Sequence, residues 1–304
     1  MADGELTRRA MLGRGVAAAA AGVAGCSTLL GTDEETGVFT QWLPAPAGLG
    51  TDHYQFRYAD LGTLATERDH LGGEPAVFES AWRPVGLAWE DASAVVGAGS
   101  VDVITADYDR ADVVADLRDA GYADGGDYRG YTLYANEADA TAFAVGDATL
   151  LTASESQFVA GGSADPVTRM EAVLDANQGD AERYPEANAD MRALVEALGT
   201  GTLVQGKTMA TARPGEARSG RFANLVASGF TRVVDGATVD ETHVYVYEDQ
   251  RDVDRAVLKS HVEASENATG GADALAAVED VSYETDGRLG SITGTRPADT
   301  LYSG

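Results

Sequence analysis

The sequence predicts an α+β fold, in which antiparallel sheets pack against helices. Two kinds of segment support this prediction: stretches in which polar and apolar residues alternate, and stretches with apolar residues at helical spacing between capping residues. Of the 304 residues 44% are hydrophobic, which is enough for a packed core despite a net charge of −27. The order strand, helix, strand, strand occurs twice, from Val101 and from Val244. This repetition suggests a duplicated unit, although few residues are identical between the copies.

Residues 39–210 are predicted to form a first α+β lobe. Tyr54, Phe56 and Tyr58 alternate with polar residues as in a half-buried strand, and leucines at 61, 64 and 71 continue the chain as a helix. Residues 101–105 form the next predicted strand, followed by a helix that Asp109 caps. Three further strands are predicted at 131–134, 141–145 and 148–152, with a tight turn at 146–147.

Two helices complete the first predicted lobe. The first has Asp165 as its N-cap, Pro166 at its first position and Gly179 at its end. The second carries Met191, Leu194, Val195 and Leu198 on one face and ends at Gly199.

A second α+β lobe is predicted at residues 222–304. Residues 211–221 precede it as a linker or long loop, and their arginines, Arg213, Arg218 and Arg221, make a local basic spot. In the second lobe we expect strands near 230–234, 243–248, 282–283 and 289–293. A helix is expected at 252–264, with Val253, Val257 and His261 on one face.

Residues 1–25 have the parts of a secretory signal. The arginines at positions 8, 9 and 14 precede a short, small-sided apolar run, and small residues lead into Cys26. The pair Arg8 and Arg9 is typical of the twin-arginine export route, which carries folded proteins. The stretch Val-Ala-Gly-Cys at 23–26 resembles a lipobox, which implies that a lipid is attached to Cys26. Residues 26–38, which are acidic and without periodicity, are then predicted to be a tether.

In style the whole chain resembles haloarchaeal lipoproteins exported by the twin-arginine route. Acidic residues are spread along the sequence, and Lys207 and Lys259 are the only lysines. Like charges at this density repel one another in dilute buffer, whereas the Debye length falls to about 3 Å in 1 M salt. We therefore expect a protein adapted to high salt, with a lipid anchor on the extracellular face of the cell membrane. Nucleic acid is not an expected partner, because its recognition needs basic surfaces.

Residues 201–208 match the phosphate-loop pattern G-x-x-x-x-G-K-[ST]. A working loop follows a strand and opens a helix, because the phosphates bind to the helix N-terminus. Here a predicted helix ends just before the motif, and residues 202–205 themselves have the pattern of a strand. An exported protein would also meet no pool of ATP. We therefore expect no nucleotide to bind despite the match.

No catalytic, cofactor-binding or metal-binding residue is predicted. The four histidines, at positions 53, 70, 243 and 261, lack the spacing of a metal motif, and lipidation would use the only cysteine. The acidic runs 107–112 and 249–254 lack the glycine and glutamate of a calcium loop, so we interpret them as helix caps. Asn267 begins the sequon Asn-Ala-Thr and is a candidate for N-glycosylation.

The sequence therefore favours a lipid-anchored extracellular protein without enzymatic activity, which binds a ligand or partner or has a role in the envelope. Two alternatives stay open. The first is an extracellular hydrolase that uses carboxylates, and the second is the solute-binding component of a transporter, which would need two similar lobes around a hinge.

Overall fold

A computed structural model describes residues 37–73, 82–154, 164–213, 222–266, 275 and 277–302. Their strands form one antiparallel sheet of 12 strands, and with the helices packed against it this confirms the predicted α+β class. The strands are β1 (Gln55–Asp60), β2 (Ala92–Ala98), β3 (Val101–Ala106), β4 (Ala123–Tyr128), β5 (Tyr131–Asn136), β6 (Thr141–Val145), β7 (Thr149–Ser154), β8 (Leu203–Arg213), β9 (Leu225–Asp235), β10 (Thr238–Tyr247), β11 (Glu279–Asp286) and β12 (Leu289–Pro297).

The described part of the chain also contains α-helices and short 3-10 segments. The helices are α1 (Leu61–Thr66), α2 (Arg110–Asp119), α3 (Pro166–Gln178), α4 (Tyr184–Ala187), α5 (Ala189–Leu198) and α6 (Arg255–Glu266). The 3-10 segments are Thr40–Trp42, Pro46–Leu49, Arg68–His70, Arg83–Val85, Trp89–Asp91, Gln250–Asp252 and Ala298–Thr300. Among these helices, none is both long enough and apolar enough to cross a bilayer.

The topology of the sheet repeats. Its order is β11-β12-β10-β9-β8-β1-β2-β3-β7-β6-β5-β4, so β1 and β8 lie side by side near its centre. Each of these two strands is the first of three antiparallel strands, which are followed by a helix and then by hairpin strands. The last hairpin strand pairs with the third strand of its unit, β7 with β3 and β12 with β10. The first unit has four strands after its helix and the second has two. The predicted repeat starts at Val101 in β3 and at Val244 in β10. The repeated unit of the structure contains both positions, but each copy begins two strands before them, at β1 and at β8.

Local sequence signals account for the helix boundaries. The carboxylates of Asp109 and Asp165 accept hydrogen bonds from the first backbone N–H groups of α2 and α3, as predicted. Gly179 ends α3 with a φ of 78°, a left-handed conformation that costs glycine little. The predicted turn at 146–147 is also present, since the N–H of Gly146 donates to the carbonyl of Thr149 between β6 and β7.

The sheet has two faces, which alternate along each strand. One, here called face A, carries Phe56 of β1 and Val204 of β8 and packs against α3 and α5. The opposite face B carries Ala59 of β1 and Val239 of β10, which belong to the core under α1 and α2. Tyr245 lies six residues after Val239 and therefore also on face B, where it belongs to a separate core under α6. Face B is thus covered at its two ends by different helices.

Several details differ from the sequence-based expectations. The strands β2 and β4 and the short helix α4 have no predicted counterpart, and α1 ends at Thr66, before the predicted Leu71. The buried face of α6 is formed by Leu258 and Val262, whereas Val257 is only half-buried. The first three residues of the predicted linker, 211–213, extend β8, and residues 214–221 lie outside the described residues.

The two predicted lobes both contribute to this sheet. The first supplies β1–β7 and most of β8, and the second supplies β9–β12. At the centre, cross-strand pairs from Gln55–Lys207 to Ala59–Leu203 join β1 to β8. The division into lobes at 211–221 stays a prediction. Residues 1–25 and most of the tether lie outside the described residues.

Candidate functional site

A polar groove crosses face B between the two helix-covered cores. Cross-strand pairing places Lys207 of β8, Ser228 of β9 and Tyr245 of β10 in one row across the sheet. Because side chains directly opposite on one face lie about 4.5–5.5 Å apart at Cβ, the members of a row are close neighbours. In this row Lys207 is exposed and Ser228 is half-buried, whereas Tyr245 is buried at the border of the core under α6.

A second row lies next to the first, formed by Gln205 of β8, Phe230 of β9 and His243 of β10. We call the depression that these two rows line the sheet groove, and it encloses about 220 Å³. Pockets that enclose drug-sized ligands measure about 300–1,000 Å³. The sheet groove therefore fits a small molecule or one group of a larger partner.

A buried charged cluster lies beside the sheet groove and shares His243 with it. The carboxylate of Glu241 is fully buried and accepts hydrogen bonds from Arg232 Nη2 at 2.9 Å, Arg296 Nη1 at 3.3 Å and His243 Nε2 at 2.6 Å. We call these four residues the Glu241 cluster. The guanidinium of Arg232 also lies 4.4 Å from the centre of the Phe230 ring, a cation–π distance.

The surroundings of Glu241 keep it ionised. Burial raises its pKa, but hydrogen bonds from His243 and Arg232 and the charge of Arg232 have the larger combined effect and lower the pKa from 4.5 to about 2. An ionised carboxylate can only accept hydrogen bonds, so the proton between these two residues resides on Nε2 of His243. The cluster thus holds the imidazole of His243 in one tautomer and one orientation.

A balanced ion pair adjoins the sheet groove on β1. Nη2 of Arg57 donates to both carboxylate oxygens of Asp102, at 2.9 and 2.8 Å. The arginine crosses β2 at Gly97, where an added Cβ would lie 2.7 Å from its Cγ. The glycine is therefore needed for this close approach. Burial raises the pKa of Asp102, while Arg57 opposes that rise.

The phosphate-loop match at 201–208 does not form a loop. All but its first two residues lie in β8, which pairs with β1 on one side and β9 on the other. Its backbone N–H groups therefore serve a sheet and do not surround an anion. Packing explains both glycines: a Cβ on Gly201 would lie 2.4 Å from Thr231 Cγ2, and one on Gly206 would lie 2.6 Å from Phe56 Cε1. Absence of nucleotide binding stays a prediction.

Gly206→Val is expected to destabilise the fold by about 1–3 kcal/mol, because the added atoms would overlap Phe56 and also Leu194 of α5, whose Cδ2 would lie 2.9 Å from the new Cβ. Urea denaturation followed by circular dichroism measures this loss. Lys207→Val is the matched control, since it introduces the same side chain on the opposite, exposed face of β8. Equal stability of the two variants would contradict the packing explanation.

The other residues singled out from the sequence do not join this site. His261 does not line the groove, although its ring lies 4.6 Å from that of Phe222 and 5.9 Å from that of Tyr245, and His70 lies in an exposed 3-10 segment. In the two acidic runs, Asp109 and Asp254 accept hydrogen bonds from the first turns of α2 and α6, in agreement with their interpretation as caps. Within the described ranges no three His, Cys, Asp or Glu side chains form a group that could hold a metal ion. The remaining predicted sites, Arg8, Arg9, Cys26 and Asn267, lie outside the described residues.

A second hollow, of about 190 Å³, lies along α4 and α5. Both of its arginines donate hydrogen bonds to backbone carbonyl groups. Arg183 donates to the carbonyl of Ala176 near the end of α3, and Arg192 donates to the carbonyls of Pro185 and Glu186 in α4. These contacts satisfy carbonyl groups that helix ends leave without partners. We therefore take the sheet groove as the candidate site.

Comparison with known proteins assigns no family. No protein-family model matches the chain, and no curated protein matches it. Among solved structures the chain is similar to TP0453. Crystal form I has a TM-score of 0.49 at 11% identity and form III one of 0.47 at 12% identity, each covering 85% of this chain and 95% of that chain. Crystal form IV has a TM-score of 0.48 at 12% identity, covering 86% and 96%.

Proposed function

We propose that this protein is a lipid-anchored binding module on the extracellular face of the cell membrane, which holds its ligand in the sheet groove. The observation that carries the proposal is the open polar centre of face B. Helices cover face B at both ends, but at the groove Lys207 is exposed and Gln205, Ser228 and Phe230 are half-buried. A concave site with a few converging polar groups beside aromatic rings is the usual form of a ligand site.

The anchoring part of the proposal rests on the sequence at Arg8, Arg9 and Cys26. Thirteen residue steps separate Cys26 from Phe39, the first aromatic residue of the folded body. At about 3.3–3.6 Å per residue, a fully extended tether of this length reaches roughly 45 Å. A lipid on Cys26 would thus hold the start of the folded body within this reach of the membrane. A single acyl chain binds a bilayer only weakly, so stable anchoring needs more than one chain.

Binding is favoured over hydrolysis by the state of the acidic group at this site. A carboxylate that acts as an acid or base needs to exchange its proton near the working pH and to reach the substrate. Glu241 is fully buried, already engaged by three donors, and has a pKa of about 2. Ser228 and His243 line the same groove, yet no hydrogen bond joins them within the described residues. A nucleophile activated by a base would require that contact.

A transporter-type capture mechanism is also disfavoured. Closure of two lobes around a ligand needs a hinge between them. Here β8 connects the halves by pairing with β1 on one side and β9 on the other. Opening at this position would break a continuous ladder of backbone hydrogen bonds.

Native mass spectrometry of the protein taken from its own membrane tests both parts of the proposal. We expect a mass increase from lipid, which Cys26→Ser removes, and a small non-covalent ligand that is retained by the native chain. Ser228→Trp is expected to release the ligand by filling the groove while leaving the lipid in place. An unmodified Cys26 would contradict the anchor. A ligand that is absent, or is equally retained by Ser228→Trp, would contradict binding in the groove.

A further inference from the structure

We infer that the sheet groove selects an oxyanion, a carboxylate or phosphate group, carried on a small molecule with a flat apolar part. This inference rests on the proposed binding function and adds the chemical class of the ligand. Its basis is a local excess of positive charge and hydrogen-bond donors on a chain whose net charge is −27. Aromatic side chains lie next to those donors in the same groove.

The charged groups around the sheet groove sum to a positive value. The Glu241 cluster has two arginines for one carboxylate, and therefore carries at least one excess positive charge. Lys207 adds a second, and its side chain forms no ion pair or hydrogen bond with any described residue. The neighbouring pair of Arg57 and Asp102 is balanced. Charges held at a partly buried site are screened by salt much less than exposed ones.

The polar groups that line the groove can donate to an oxyanion. Lys207 has three N–H donors, Gln205 has two, and the hydroxyl of Ser228 adds another. Lys207 and Ser228 are directly paired across β8 and β9, and Gln205 precedes Lys207 by two residues on the same face. None of the side chains lining the groove in the described structure is a carboxylate. A cationic ligand would therefore find no counter-charge here, whereas an oxyanion would find several donors.

The apolar part of the ligand is suggested by Phe230, which is half-buried and lies in the row next to Lys207 and Ser228. Its ring can pack against a flat apolar body, and such packing adds selectivity beyond charge. A bare inorganic ion would make no contact with this ring. A neutral sugar could pack against the ring, but it would leave Lys207 without a counter-charge. The arrangement thus fits a molecule that combines a negative group with an apolar body.

Titration calorimetry of the full-length chain, at one fixed salt concentration, tests the inference with five probes. Benzoate and phenyl phosphate carry an oxyanion on a ring, benzyl alcohol carries the ring without the charge, and acetate and inorganic phosphate carry the charge without the ring. We expect the two ring-bearing anions to bind most tightly. Preference for benzoate or for phenyl phosphate identifies which oxyanion the site takes.

The two lysines of the chain provide a matched pair of variants. Lys207→Met is expected to weaken binding of the preferred anion about tenfold or more, the effect of losing a hydrogen bond to a charged group. Lys259→Met removes the same charge from α6, where that lysine pairs with Glu263, and is expected to leave binding unchanged. Thermal melting of each variant verifies that the fold is retained.

Several outcomes would overturn the inference. If benzyl alcohol binds as tightly as the anions and Ser228→Trp abolishes both, the groove is a binding site but does not select charge. If anion binding survives Lys207→Met, the anions bind elsewhere. If no probe binds, the oxyanion class is wrong. Native mass spectrometry tests binding in the groove independently of these probes. A retained ligand together with negative calorimetry would show that the proposed chemical class is wrong, whereas the proposed binding function would still hold.

Discussion

Glu241→Ala is expected to lower the free energy of unfolding by about 3–5 kcal/mol, because it leaves Arg232 and Arg296 buried without their shared counter-charge. Such a loss is a large part of the roughly 5–15 kcal/mol by which folded proteins are stable. Chemical denaturation at neutral pH measures the change. Glu241→Gln keeps the side-chain shape but removes the charge, and it is expected to be destabilising for the same reason.

The matched control for this prediction is Glu263→Ala. Glu263 belongs to an exposed pair with Lys259 on α6, at 3.7 Å. Exposed helix pairs contribute only about 0.3–0.5 kcal/mol, so this variant is expected to be nearly as stable as the native chain. If Glu241→Ala cost no more than Glu263→Ala, the Glu241 cluster would not have the stabilising role described above.

The same cluster gives the protein a defined sensitivity to acid. The pKa of Glu241 is lowered from 4.5 to about 2 in the folded state. Its contribution to stability is therefore fully present above about pH 4.5 and is lost as the pH falls from there toward 2. Glu241→Gln has no such proton to gain, so the difference in stability between the native chain and this variant is expected to shrink across that range.

Removal of salt is expected to lower the melting temperature by more than about 10 °C, which for a chain of this size corresponds to roughly 3–5 kcal/mol. If residues 1–25 are removed, 47 acids and 19 bases remain, a net charge of −28. At such a charge density self-repulsion favours expanded states once the Debye length exceeds the spacing between charges. Melting followed by circular dichroism, from molar to millimolar sodium chloride, measures the shift.

Two controls separate charge screening from other effects of salt. Sucrose strengthens burial without screening charge, so it is not expected to replace sodium chloride. On β11, an exposed edge strand, the triple substitution Glu279→Gln, Glu284→Gln and Asp286→Asn removes three negative charges and is expected to make the salt dependence shallower. A melting temperature that is equal in molar and millimolar salt would contradict adaptation to high salt.

Much of the secondary structure could be predicted because its signals are local. Asp165 and Gly179 mark both ends of α3 by their own hydrogen-bonding and backbone preferences. The two strands that were not predicted lack such signals. β4 has the sequence Ala-Asp-Gly-Gly-Asp-Tyr and lies exposed at the edge of the sheet, so no apolar face produces an alternating pattern. β2 is rich in small residues and is buried along most of its length, which removes the alternation as well.

The candidate site could not be predicted, because it depends on which strands are neighbours. Glu241 and Arg296 are 55 residues apart in the sequence and meet because β10 pairs with β12. The sequence did draw attention to Lys207, but through a nucleotide motif whose loop geometry is absent. Lys207 lies in the groove because it pairs with Ser228 on face B. That pairing depends on the register between β8 and β9.

The central pairing of β1 with β8 also constrains the order of folding. Gln55 and Lys207 are partners although roughly 150 residues separate them, and contacts at such separation slow folding because a long loop must close first. During synthesis β1 emerges long before its partner exists, so the two halves of the sheet cannot join until most of the chain has been made. This late joining is compatible with the export route that we propose from Arg8 and Arg9, which carries proteins after they have folded.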